Sequence, residues 1–166
     1  MKLKLLLASM VFMLGLLNVS AEGQEHTASV SVSAGRTVSL DVTVFDVKGR
    51  LFVPYCGAVE GGTPILCTGA VRLEVSDGDN WRPARLMWRG DGILGGVPPD
   101  RWKSRRINPK EIGSFIYRFR EGLFAVKPGQ RVRLVVYAWA DERELRKGTQ
   151  PILLEGEPFS LPKAEG

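Results

Sequence analysis

The chain has 166 residues, with 23 lysines and arginines against 18 aspartates and glutamates, a formal charge of +5, two cysteines and one histidine. So mild a basic excess calls for neither a nucleic-acid nor a membrane-surface partner, and argues against nucleic acid. A lone histidine excludes most chemistry that needs imidazole: Ser-His-Asp or Cys-His catalysis, and zinc or copper sites built on histidine.

The first residues, MKLKLLLASMVFMLGLLNVSAEG, combine Lys2 and Lys4, an apolar run from Leu5 to Leu17, and small residues at Val19-Ser20-Ala21. This pattern predicts a secretory signal peptide over 1–21, cleaved after Ala21, and export to the periplasm or the outside. The apolar run falls short of the ~20 residues that span a bilayer. No later run is longer, so no membrane span is expected after cleavage. Residues 22–29 form a polar leader, and His26 within it reads as a solvated tail residue.

From there the dominant period is two. A short strand is expected over 28–34. In TVSLDVTVFDV, Val38, Leu40, Val42 and Val44 share one face, and the phase slips at Val44–Phe45 as at a bulge. A Lys48-Gly49 turn leads into a strand at 51–55, where Pro54 favours an edge or a strand end. Cys56 and Cys67 then flank a glycine-rich loop. In an exported chain, C-x10-C reads as a disulfide, since it fits neither the C-x-x-C of a redox enzyme nor the short spacings of zinc sites.

Strands are expected at 70–75 and 81–88, joined by the turn SDGDN. Residues 89–111 break the rhythm with four glycines and three prolines; a loop longer than ~15 residues in a small domain is usually functional or disordered. GSFIYRF (113–119) puts Phe115, Tyr117 and Phe119 on one face. VKPGQRV reads as a corner between sheets. RVRLVVYAWA (131–140) turns Val132, Leu134, Val136, Ala138 and Ala140 inward. ADERELRKG has two turns of helical character. The last strand, 151–161, is interrupted at Gly156, and 163–166 is a tail.

These elements predict an all-β chain: a single antiparallel β-sandwich of about seven to eight strands over 30–162. The pattern, above all the Pro-Gly corner before the longest strand, resembles the bacterial secreted immunoglobulin-like β-sandwich domains. The resemblance is architectural. Cys56 and Cys67 lie too close together for the inter-sheet Cys…Trp…Cys spacing of antibody-type domains, and the fold implies no function.

The candidate ligand surface is basic and aromatic. Trp81, Arg85 and Trp88 come from the 81–88 arm, and Arg101, Trp102, Lys103, Arg105 and Arg106 from the long loop. Tryptophans beside arginines stack on sugar rings or hold anionic groups; the plainer reading makes them core tryptophans and arginine stems covering a sheet. The carboxylates Asp77, Asp79, Glu142 and Glu144 read as turn residues. The expected function is an exported, non-enzymatic binding or structural module of the cell envelope, recognising an anionic glycan or a protein. The alternative is a protease inhibitor acting through the braced 56–67 loop at Pro64-Ile65-Leu66. No cofactor or metal is expected.

Overall fold

The structure, a computed structural model, describes residues 27–33, 37–87 and 97–161. The expected signal peptide, Trp88 and the tail at 163–166 lie outside the described residues. Among the described residues eleven strands form: β1 (Thr27–Ser33), β2 (Thr37–Phe45), β3 (Leu51–Ala58), β4 (Pro64–Leu66), β5 (Val71–Asp77), β6 (Asn80–Pro83), β7 (Lys103–Ile107), β8 (Gly113–Arg120), β9 (Arg131–Ala138), β10 (Ile152–Glu155) and β11 (Phe159–Ser160). The α-helix α1 (Glu142–Lys147) lies between β9 and β10.

Alternation drives the assembly. Branched and aromatic side chains fit a pleated, half-buried surface, and every second residue of β2, β8 and β9 is buried. Six strands make one sheet in the order β1-β2-β8-β4-β3-β7. Four make a second, β10-β9-β5-β6, with β11 alongside β9. Leu40, Val53, Phe115 and Tyr117 from the first sheet meet Leu73, Leu134, Val136 and Leu154 from the second in one apolar cluster. The chain crosses from β8 in the first sheet to β9 in the second at the Pro-Gly corner, where Gly129 takes φ 76°.

The all-β class holds, with several corrections of detail. The pairing is not wholly antiparallel: β4 runs parallel to β8 through Ile65 and Ile116. The strand β1 begins at Thr27, inside the expected leader. No bulge interrupts β2, whose register with β1 runs unbroken to Phe45; the phase changes after the strand, at Asp46 with φ 52°. The irregularity lies in β3 instead, between Tyr55 and Gly57. Pro54 sits inside the sheet, with β7 on one side. On the other it falls between the bridge from Phe52 to Trp139 and the pairing of Tyr55 with Leu66. That gap lets a residue without an N–H stand in an inner strand.

Strand β6 stops at Pro83, and the chain then leaves it to form an isolated bridge between Leu86 and Phe124. The expected loop over 89–111 contains a 3₁₀ turn at Pro99–Arg101 and the whole of β7. Ala140 is exposed, because β9 ends at Ala138 and Trp139 turns inward. The helix is well delimited: Asp141 accepts from the Arg143 N–H at 2.7 Å, and Gly148 closes it with φ 64°.

Two expected results follow from this packing. A Cβ on Gly113 would collide with Ile107 Cδ1 and stand 3.0 Å from Phe115 Cε2. Gly113→Ala should therefore cost about 1–3 kcal/mol in urea titration, as overpacking of a filled core does. Burial pushes the Tyr117 phenol up to about 12, against the opposing hydrogen bond with Thr68. Above pH ~10 the unfolded chain ionises this group while the folded chain keeps it neutral. Stability should then fall by roughly 2–3 kcal/mol as pH rises from about 10 to 12. Tyr117→Phe should remove that part of the fall, measured by denaturant midpoints on both proteins.

Candidate binding surface

The predicted basic and aromatic residues divide between two places. Arg101, Trp102, Lys103, Arg105 and Arg106 lie on one continuous segment, the 3₁₀ turn and β7. Trp81 is on β6 of the other sheet, with the Arg133 guanidinium 4.7 Å from its ring centroid. Arg85 is exposed in the stretch after β6, where its carbonyl accepts from the Ala125 N–H at 2.8 Å.

Trp102 is an anchor rather than a ligand platform. It is 5% exposed and packs with Trp139, Cys67, Ala70 and Leu145 in a second, smaller core, with Phe52 and Tyr137 at its margin. The two indole rings stand 6.1 Å apart and tilted by 56°. A buried indole needs an acceptor for its N–H: Trp102 donates to the Val97 carbonyl and Trp139 to that of Thr149. The sequence marks both as aromatic, but only the fold decides that this ring faces inward.

The helix α1 clamps the segment from outside. Arg146 donates to the carbonyls of Asp100 and Trp102 at 3.3 and 2.9 Å and pairs with Glu142 at 3.1 Å. Ser104 Oγ donates to Glu142 at 2.7 Å. The disulfide between Cys56 and Cys67, with Cα atoms 5.1 Å apart, ties β3 to the buried Cys67 beneath Trp102. Glu142 and Glu144, read from sequence as turn acids, thus belong to local pairs, Glu144 with Lys147 at 3.5 Å. Asp77 pairs with Arg82 at 3.4 Å in the β5–β6 hairpin.

On this fixed base the cations are presented outward. Arg101, Lys103 and Arg106 are exposed, and none meets a carboxylate within ion-pair distance among the described residues. Arg105 is half-buried over the Phe115 ring, 5.6 Å from its centroid, and donates to the Ser114 carbonyl at 3.3 Å. Three further members, Phe52, Arg50 and Glu111, were missed from sequence. Phe52 stands opposite Arg106 in the ladder, and Arg50 lies over it at 5.7 Å. Glu111 is held below the usual carboxylate range, first by hydrogen bonds from the backbone and side chain of Asn108, then by Arg105 and Arg106.

Part of the braced 56–67 loop is built into the first sheet. Pro64, Ile65 and Leu66 are strand β4, with Pro64 and Leu66 buried, while Cys56, Ala58 and the tip at Glu60-Gly61-Gly62 are exposed. The outer face of the second sheet carries a separate ionic group. Glu74, 3% exposed, is held by Arg72 at 2.6 Å and Arg133 at 2.7 Å, and Arg133 also meets Glu155 at 2.7 and 3.0 Å. No known protein family, no characterised protein and no solved structure matches this chain.

Proposed function

We propose that the chain is an exported, non-enzymatic binding module of the cell envelope, an immunoglobulin-like sandwich that meets an anionic partner through residues 101–106. Export is supported by the signal-like N-terminus. The sandwich reading is supported by two sheets around one core and by the corner at Gly129. The observation that carries the binding reading is the contrast within a single short segment. Arg101, Lys103 and Arg106 are exposed with no carboxylate within ion-pair distance among the described residues, while Trp102, Ser104 and Ile107 are fixed by burial or hydrogen bonds. Side chains held on a rigid base lose less freedom on binding.

Retention on heparin and on anionic envelope fractions tests this, with the purified chain and the triple variant Arg101→Glu, Lys103→Glu, Arg106→Glu. The wild-type chain should bind at low salt and elute as salt rises, as screening of exposed charges requires. The variant should not bind, with its circular dichroism unchanged. Equal retention of both proteins would sink the reading.

A further inference from the structure

We infer that the partner of this surface is an acidic, extended polypeptide segment that adds to the free edge of β7 as a further strand; this rests on the binding reading above and narrows it. The strand β7 is the last of its sheet and pairs with β3 alone among the described strands. The direction of its unused main-chain groups follows from the ladder. Phe52 exchanges both of its backbone bonds with Trp139, at 2.7 and 3.0 Å, on the side of β3 away from β7. Arg106 stands directly opposite Phe52. In an antiparallel pair, facing residues alternate between those that exchange both bonds and those that exchange none. The Phe52–Arg106 pair therefore exchanges none, and the N–H and C=O of Arg106 point to the free edge.

The same alternation applies two residues back. Ser104 faces Pro54, which has no N–H to give. Ser104 and Arg106 thus offer two main-chain donors and two acceptors, the pattern that an incoming strand occupies in strand addition.

The side chains around that edge define what enters. Lys103 and Arg105 flank it on one face and Arg106 on the other, since neighbouring strand residues point to opposite faces. Lys110 lies just beyond, in the turn to β8. Ile112, at the end of that turn, is 62% exposed. A charged edge is also how proteins repel unwanted strands. Here four cations within 103–112 stand against one acid, Glu111, so the net charge repels basic segments and attracts acidic ones. A polyanionic glycan would match the cations but would leave the two outward backbone pairs unpartnered.

The test uses fluorescent decapeptides that alternate glutamate with valine, the same design with lysine for glutamate, and heparin as the glycan probe. The acidic peptide should bind, and the lysine peptide should not. High salt should weaken the complex about tenfold, as should the double variant Lys103→Glu, Arg106→Glu. The deciding arm is backbone N-methylation at alternate positions. Methylation in the phase that faces β7 should weaken binding fivefold or more, and in the opposite phase should leave it unchanged. Acidic peptide binding that ignores methylation phase, or heparin binding with no peptide binding, overturns strand addition while the anionic-surface reading stands. Absence of binding to every probe removes both.

Discussion

Glu74→Ala should destabilise the protein by about 3–5 kcal/mol, the loss expected when one partner is taken from a buried, hydrogen-bonded charge cluster. The carboxylate lies on the outer face of the second sheet, yet its neighbours seal it from water. Arg72 approaches one oxygen and Arg133 Nε the other. Arg133 is itself covered by the Trp81 ring and tied to Glu155 through two nitrogens. Without Glu74 two guanidinium groups face each other over a partly dry surface, and the Arg72 Nε already lacks a hydrogen-bond partner among the described residues. Exposed pairs give the contrast. Asp77→Ala breaks only the solvent-exposed contact with Arg82 and should cost less than ~1 kcal/mol. Urea unfolding of both variants measures the difference, read from midpoints at unchanged slope. A loss under 1 kcal/mol for Glu74→Ala would show that the cluster adds nothing to folding.

Trp102→Ala should cost about 3–5 kcal/mol, as large-to-small changes of buried aromatics do. Its ring fills the second core against Trp139, and Gly69 approaches so closely that a Cβ there would stand 3.1 Å from the ring. Losing the indole also releases Val97 and loosens the segment that carries Arg101, Lys103 and Arg106. Trp102→Phe should keep much of the stability. Arg101→Glu, at an exposed site with no ion pair among the described residues, should fall within ~0.5 kcal/mol of wild type. Thermal or urea melts of the three variants check this order. Binding loss in Trp102→Ala would then report a disordered platform rather than a lost contact, which is why charge variants are the proper probes of the surface.

Much of the fold could be read before the structure, and the reason is physical. Wherever a strand has one face on the core, as in β2, β8 and β9, its sequence alternates and its bounds are visible. The helix was legible as two turns within ADERELRKG, and the structure adds its ends, Asp141 and Gly148. Strand β7, Lys-Ser-Arg-Arg-Ile, could not be seen this way. It is an edge whose only fully buried side chain is Ile107, so its pattern is that of a polar loop. Strand β4 has three residues, too few for a period, and is in place because the disulfide and β8 hold it. Val135 breaks the inside-outside rule: it points away from the main core and is still fully buried, because Arg72 and Glu155 stand on either side of it in the ladder. Cover of that kind depends on cross-strand neighbours. The same holds for the candidate surface: the cations were legible as a basic run, but not that Trp102 faces inward, or that Phe52 joins them from a strand some fifty residues away.

The bridge between Phe52 and Trp139 has a consequence for how the molecule comes apart. It is a main-chain link from the first sheet to the second, made at the corner that also holds the disulfide, the paired indoles and α1. Two sheets held by side-chain packing alone can slip or separate one at a time. Here, prising them apart at this corner means breaking the two backbone bonds between Phe52 and Trp139 and wetting Trp102 and Trp139 together. The corner should thus open only when the whole chain melts, so the platform that carries the cations keeps its shape for as long as the protein is folded.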